Sequence, residues 1–585
     1  MANHSKEPLN ITNVISQVYA EGANPTTKEL FNSIPAAILQ PKENIAGAIA
    51  SVGEWNKSEV IGDYGYGEED DVQSVLGGLP SFCRFGASIT TSNMSSVWFE
   101  TWMPLPGNSS TNWRGRLVFV GNNGQSGGVF YPEMKQILTR YRESTASTNG
   151  GHFGSASLSN WTIGNPESQL DFGRRGVHLS SLASQVVVKT FYGIRDRRTK
   201  HGHKRVGFNT YFKGCSTGGR QGMGEAQNYP EDYDGIIAGC PAVYYNDLNA
   251  YQIHVNSLQN DTTSPSFIPL TLYPVIHKHI IDECDLNDGV RDAVIQNPAT
   301  CHPKLHKLFT ASTNSTICLT QAQLDNLYNI YKPLRYPDGT IIHEPVLYGS
   351  EFSWTVTDGV VGTPFPPASG WFQYQVLNLN TSVSSFNPNT AVEGNFSLIE
   401  LGNRLNPGKT NTANADLSRY FARGSKLIHY HGTADQLIPS GSSDRYFKRV
   451  HKETSVREGK LSDYYRYFHI PGMAHCRGGD GPWNFGGAGQ TAAPGSRPLE
   501  YNAKHDALLA LFKWTEYDIA PNYIVGAAYK SNFTETPYTI GSTNDLTPFA
   551  NGIKFSHKLC PYPKQAVLID SDNPYNASSL HCEYL

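Results

Sequence analysis

A serine set between glycines is the residue in this chain best placed to do chemistry. In Gly214-Cys215-Ser216-Thr217-Gly218 the Gly-x-Ser-x-Gly spacing allows the backbone to turn sharply and lift a hydroxyl above a sheet edge. A serine hydroxyl is a weak nucleophile until a base takes its proton, and that base needs an acceptor to orient it. On a strand–elbow–helix plan the acid and then the histidine follow the serine along the chain. Asp435 meets the first requirement. It ends the turn His431-Gly432-Thr433-Ala434-Asp435, just after the apolar run Lys426–Tyr430. Away from such a strand end, an aspartate in this turn reads as an ordinary loop cap.

Several histidines compete for the role of base. His429 and His431 precede the acid. His451 sits in a charged run and reads as a solvated helix residue, His469 as a packed strand residue, and His505 as a helix-end residue. His475 follows the Pro471-Gly472 turn after the run Tyr464–Ile470, which puts it on the same sheet edge as Asp435. Cys215 directly precedes Ser216 and Cys476 directly follows His475. A proton shared between Ser216 and His475 requires about 3 Å between them, which brings the two neighbouring sulfurs into disulfide range. Independent buried thiols are the alternative.

The elements that must position these groups read as an α/β pattern. Arg116–Val120 is an apolar strand running into the loop Gly121-Asn122-Asn123-Gly124-Gln125-Ser126-Gly127-Gly128. Helix is expected over Ser184–Tyr192, strand over Asn209–Phe212, helix over Arg220–Asn228 and strand over Gly235–Ala238. The alternation lapses after about Tyr245 in Asn-, Pro-, Thr- and Ser-rich sequence, where only Thr320–Tyr331 has a clear helical pattern. It returns at Lys426–Tyr430 and Tyr464–Ile470, with a helix over Lys504–Tyr517. The expected division is a catalytic domain of residues 1–245 and 420–585, interrupted by an inserted domain over 246–419.

Composition removes some classes of function. With charged residues at 17%, against about 25% usually, and a formal net charge of −4, no basic surface is available for a phosphate backbone. No nucleic-acid partner is expected. No apolar stretch has the length of a membrane span, so no membrane partner is expected either. Sequons at Asn10, Asn56, Asn93, Asn108, Asn160, Asn260, Asn314, Asn380, Asn395, Asn532 and Asn576 favour a secretory route. So do Cys284 with Cys301 around an acidic loop, and Cys560 with Cys582 around the C-terminal segment, each spaced as a staple. The nine cysteines are an odd number, and Cys83, Cys240 and Cys318 have no local mates. The first residues lack an apolar leader core. The expectation is a secreted, extracellular protein whose leader is absent from this numbering.

Together, the motifs Gly214–Gly222, His431–Asp435 and Gly472-Met473-Ala474-His475-Cys476 resemble the tannase and feruloyl esterase family, whose signature is a Cys-Ser, an Asp and a His-Cys. The likeness extends to Glu225–Gly239, Gly481–Gly486 and Leu559–Lys564. It implies an α/β-hydrolase core with an inserted lid domain, a Cys215–Cys476 disulfide, and hydrolysis of phenolic-acid esters. It also implies a structural calcium ion in the lid. By spacing, its ligands would be the carboxylates of Asp285, Asp288 and Asp292 with the backbone oxygens of Val290 and Val294. A hard cation that takes six to eight oxygens suits such a loop, although Asp-rich turns are often just solvated. This sequence departs from the family pattern at Cys240, where a small residue is usual, and in the loop Gly121-Asn122-Asn123-Gly124-Gln125-Ser126-Gly127, which carries no aromatic after the glycines. Early cysteine pairs are reduced to Cys83.

The expected mechanism is attack by Ser216 on an ester carbonyl, with His475 as general base and then acid and Asp435 as its orienting partner. The oxyanion would be held by the amides of Thr217 and of the Asn123–Gly124 loop, represented by Gly124. Trp354, Phe365, Trp371 and Phe372 are candidates to stack on an aromatic group, with packing inside the lid the plainer role of each. The expected substrate is a small aromatic ester or a feruloylated plant polysaccharide or polyphenol. Feruloyl (hydroxycinnamoyl) esters are favoured over the galloyl esters of a tannase, and a non-catalytic binding protein on the same scaffold is the alternative class. Oligomeric state is open.

Overall fold

Strands buried at nearly every position require both faces of a sheet to be covered, and the centre of this chain's main sheet is built of such strands. The computed structural model describes residues 11–19, 79–80, 82–105, 113–154, 159–198, 204–309, 319–355, 365–379, 386–391, 396–490, 496–530 and 552–584. Its main sheet is built from β1 (Ile11–Tyr19), β2 (Phe82–Thr90), β3 (Ser96–Pro104), β4 (Arg116–Val120) and β5 (Ser144–Thr148), with β6 (Asn209–Cys215), β7 (Gly235–Gly239), β8 (Lys426–Gly432) and β9 (Tyr465–Ile470). The spatial order is β1-β2-β3-β5-β4-β6-β7-β8-β9. Pairings from β5 through β9 are parallel, whereas β1, β2, β3 and β5 pair antiparallel.

Alternate side chains along each strand enter different cores. Phe119, Phe212, Ile236 and Leu427 face one core, which is closed by Val187 and Val188 of α1 (Gly176–Phe191) and Met223 of α2 (Thr217–Asn228). Val118, Tyr211, Ile237 and Ile428 face the other, closed by Leu508, Leu511 and Trp514 of the C-terminal helix Ala507–Tyr517. That helix starts three residues later than expected because the Asp506 side chain caps it, accepting from the Leu509 amide. Conversely, α1 begins eight residues before the expected Ser184, and α2 starts at Thr217 rather than Arg220.

The segment between β7 and β8 forms a third core of its own. It holds more helix than its composition suggested: α3 (Tyr245–Ser257), α4 (Tyr273–Cys284), α5 (Gln321–Ile330) and α6 (Ser397–Leu405). Only α5 was legible, and its capping box, Thr320 with Gln323, explains why. The others hide their apolar stripe among polar residues, as with Ile276, Ile280 and Cys284 on α4. Trp354, Trp371 and Phe372 are fully buried in this third core, with Phe365 half-buried against it. They pack the insertion together, and a substrate cannot reach the three buried rings. Cys318 and the sequons at Asn10, Asn56, Asn108, Asn314, Asn380, Asn395 and Asn532 lie outside the described residues.

Candidate active site

Ser216 stands directly after β6 with φ 64° and ψ −122°, a conformation held by a hydrogen bond from its amide to the Gly239 carbonyl at 3.0 Å. The flanking glycines are required by contact as well as by the turn. A Cβ on Gly214 would lie 2.5 Å from the Gly218 carbonyl group, and one on Gly218 would lie 2.9 Å from the Asn122 carbonyl oxygen. β6 therefore passes straight into α2 with the serine at the corner.

Asp435 follows β8 and His475 follows β9, so strand register brings both to the edge that carries Ser216. The His475 Nδ1 donates to Asp435 Oδ2 at 2.8 Å. The other carboxylate oxygen of Asp435 accepts from the amides of Leu437 (2.9 Å) and Ile438 (2.8 Å). Burial by itself would raise this carboxyl, but the His475 charge and the hydrogen bonds from His431 and His475 outweigh it and hold Asp435 well below the usual carboxylate range. The His475 Nε2 lies 3.7 Å from Cys476 Sγ, so the outer ring nitrogen is turned toward the bridge beside Ser216. That bridge is present: Cys215 and Cys476 are disulfide-bonded with their Cα atoms 6.0 Å apart.

His431, set aside in the sequence because it precedes the acid, supports Asp435 from below. Its Nε2 contacts Asp435 Oδ2 at 3.2 Å and the Ile438 carbonyl at 2.7 Å, while its Nδ1 meets the Ser443 hydroxyl at 2.7 Å. Ser443 continues the chain to His429 (2.9 Å), and His429 to the Tyr465 hydroxyl (2.8 Å). All of this is buried, and burial holds His429 well below the ordinary imidazole value, hence neutral. The His-Gly-Thr-Ala-Asp spacing was the one signal for His431, because a histidine four residues before the acid returns to it across the turn.

The loop after β4 approaches the elbow from the other side. The Thr217 hydroxyl donates to the Gly124 carbonyl at 2.6 Å, and Asn122 and Gln221 are paired twice, at 2.9 and 2.8 Å. Among the described residues, no protein acceptor takes the amide of Thr217, Asn123 or Gly124. Those donors are available to a developing negative charge.

The remaining cysteines divide cleanly. Cys284–Cys301 and Cys560–Cys582 are both disulfides. Cys83 is buried and takes part in none of the three bridges. Cys240 is a buried thiol whose sulfur lies within 4.8 Å of both sulfurs of the Cys215–Cys476 bridge. Burial and the nearby Asp435 charge push it well above the ordinary thiol value, so it is held protonated and inert toward the bridge.

In the acidic loop, Asp285 Oδ1 accepts from the amides of Asp292, Ala293 and Val294 at 2.9–3.2 Å, and Asp288 Oδ1 accepts from that of Val290 at 2.9 Å. Among the described residues the three carboxylates do not gather within 4.8 Å of one another. Burial together with mutual repulsion pushes Asp288 up to about 6 and Asp292 to about 7. Oxygen-only donors and poorly compensated negative charge fit a hard cation.

A serine elbow on this strand order, with an acid and a histidine on the following strand ends, defines an α/β-hydrolase. Comparison with known proteins agrees. The model of the tannase and feruloyl esterase family matches residues 86–351 and 359–583. A probable feruloyl esterase B-1 of Aspergillus oryzae is 32% identical over 504 residues, covering 85% of this chain and 82% of that protein. A probable feruloyl esterase B-1 of Aspergillus terreus is 32% identical over 452 residues, covering 76% and 78%. The crystal structure of feruloyl esterase B from Aspergillus oryzae superposes with a TM-score of 0.72 at 30% identity, covering 87% of this chain and 92% of that one. Tannin acyl hydrolase from Aspergillus niger shares the fold, with a TM-score of 0.64 at 18% identity over 86% and 87%. The chain belongs to the tannase and feruloyl esterase family, and is a carboxylic ester hydrolase.

Proposed function

We propose that the protein cleaves feruloyl or related hydroxycinnamoyl esters through an acyl-enzyme on Ser216. The observation that carries this reading is the covalent link between elbow and base: the Asp435–His475 pair is bridged to the residue preceding Ser216. His475 takes the Ser216 proton as the hydroxyl attacks the ester carbonyl, and then gives it to the departing alcohol. Asp435, ionised and locked by two amides, keeps Nδ1 protonated and offsets the imidazolium charge. The amides of Thr217 and Gly124 receive the oxyanion. A water activated by His475 then releases the acid.

The feruloyl preference rests on the relatives at 30–32% identity, which carry feruloyl esterase names, against 18% for the tannin acyl hydrolase. Calcium belongs to the same reading: bound by Asp285, Asp288, Asp292 and the carbonyls of Val290 and Val294, it would offset most of the negative charge of the acidic loop. Secretion and glycosylation belong to it as well. They are supported by three disulfides and by the exposure of all four described sequon asparagines, Asn93, Asn160, Asn260 and Asn576. Among the described residues no helix is long and apolar enough to cross a membrane.

The test is a comparison of wild type and Ser216→Ala on methyl ferulate and methyl gallate, with fluorophosphonate labelling of the serine. Expected are preference for ferulate, an adduct at Ser216, and a loss of turnover of about 10⁴-fold or more in the folded variant. Preference for gallate would make the enzyme a tannase. Undiminished turnover by Ser216→Ala would end the mechanism.

A further inference from the structure

Gln125, in the glycine-rich loop that lacks the family's aromatic, is completely buried. It is the third residue of the β-turn Asn123–Ser126, closed by a hydrogen bond from the Ser126 amide to the Asn123 carbonyl at 2.9 Å, with Gly124 at φ +49°. Three separate parts of the molecule hold this turn. Thr217, the residue after the nucleophile, donates to the Gly124 carbonyl. His152, beyond β5, donates from Nε2 to the Gln125 carbonyl at 2.8 Å; burial holds His152 down at about 4, so its imidazole is neutral. The third hold comes from the insertion. Gln375 Nε2 donates to Gln125 Oε1 at 2.8 Å, and Gln125 Nε2 reaches the Pro367 carbonyl at 3.5 Å.

Gln375 sits on a π-helical turn, Trp371–Val376, that continues the helix Pro366–Gly370. Such turns are uncommon and concentrate at functional positions. Trp371 of the same turn donates its indole N–H to Asn246 Oδ1 at 2.9 Å and packs edge-on against Tyr245, which ties the turn to α3 at two points. Gln375 and Gln125 are both buried. A buried amide pair is worth keeping only when satisfied, because either partner left alone bears the full desolvation cost.

We infer that the Gln125–Gln375 pair is a latch through which the inserted segment sets the position of the oxyanion turn, making Gln125 a positioning residue for ester cleavage. The inference rests on the oxyanion role proposed above for Gly124. Gln125 itself, being buried, does not touch substrate. Its effect is on where the Gly124 amide points when charge develops on the carbonyl oxygen. An oxyanion donor acts only in the transition state, so displacing it lowers kcat and leaves ground-state binding alone.

The experiment compares wild type, Gln125→Met, Gln375→Met and the double variant on 4-nitrophenyl acetate and methyl ferulate, well below each variant's thermal midpoint. Methionine keeps the volume and removes the hydrogen bond. Expected is a fall in kcat of about tenfold or more on both esters, with KM within about threefold of wild type. The double variant should lose no more than the worse single one, because the Gln375 amide acts on the turn through Gln125. Gln375→Met reads the latch from the insertion side should Gln125→Met fold poorly. Unchanged kcat on 4-nitrophenyl acetate, whether or not KM for ferulate rises, would overturn the inference and make the pair a matter of pocket shape or stability. Additive losses in kcat would overturn it too. Ser216→Ala run alongside separates the two failures: if it matches wild type on 4-nitrophenyl acetate, the esterase mechanism itself has failed and the latch falls with it.

Discussion

Removing the Cys215–Cys476 bridge should cost this enzyme more in turnover than in folding. The bridge closes a loop of sequence separation 261, against 17 for Cys284–Cys301 and 22 for Cys560–Cys582. Loop-closure entropy alone gives about 5.5 kcal/mol for the long loop and about 3 kcal/mol for each short one. Much of the long-loop figure will not be realised, because the segment carrying His475 is also tied to the turn after β8. The Thr433 amide donates to the Ile470 carbonyl, the Ala434 amide to the Met473 carbonyl, and the Gly472 amide to the Thr433 hydroxyl, each at 3.0 Å. The His475 amide reaches Gln436 Oε1 at 3.3 Å. Every one of these ties joins His475 to the Asp435 turn; the disulfide joins that unit to Ser216. In Cys215→Ala/Cys476→Ala the acid–base pair should therefore survive while its register with the nucleophile loosens. A displacement near 1 Å costs about 10²-fold. Both cysteines are replaced so that neither is left as an unpaired thiol beside Cys240, whose sulfur lies within 4.8 Å of each. The assay is kcat on 4-nitrophenyl acetate together with the thermal midpoint. A folded double variant with wild-type kcat would refute the claim that the bridge aligns base and nucleophile.

Two further expectations concern pH and metal. Because Asp435 is held below its ordinary value in the folded chain, it stabilises the fold above the unfolded carboxyl value of about 3.9. That contribution drains away as pH falls from about 5 through that value, where only the unfolded chain takes up the proton. Asp435→Asn should unfold in acid with a pH slope shallower by up to one proton, and an unchanged slope in urea titrations between pH 5 and 2 would contradict this. Removal of calcium by EGTA should lower the thermal midpoint, reversibly with calcium but not with magnesium. A hundredfold excess over Kd contributes about 2.7 kcal/mol. An identical midpoint with and without EGTA, in wild type as in Asp288→Ala, would dismiss the ion.

Residues local to one another in sequence carried much of the candidate site. A serine between glycines, an aspartate just past one apolar run and a histidine just past the next were legible because strand ends in a parallel sheet share an edge, whatever lies between them. The Cys-Ser and His-Cys pairs carried the disulfide for the same reason. The antiparallel strands β2 and β3 and the helix α3 were not legible, since their apolar periodicity is diluted by polar residues such as Arg84, Glu100 and Asn249 that tertiary packing buries; α4 and α6 were not legible because their buried stripes are narrow. The support that His431 gives Asp435 was not legible, because chain order says nothing about which side of a carboxylate a ring supports. The pairing of Gln125 with Gln375 lay beyond any local pattern. The residues are 250 positions apart, and an amide's partner is chosen by burial and approach geometry, which exist only once the insertion has closed over the sheet.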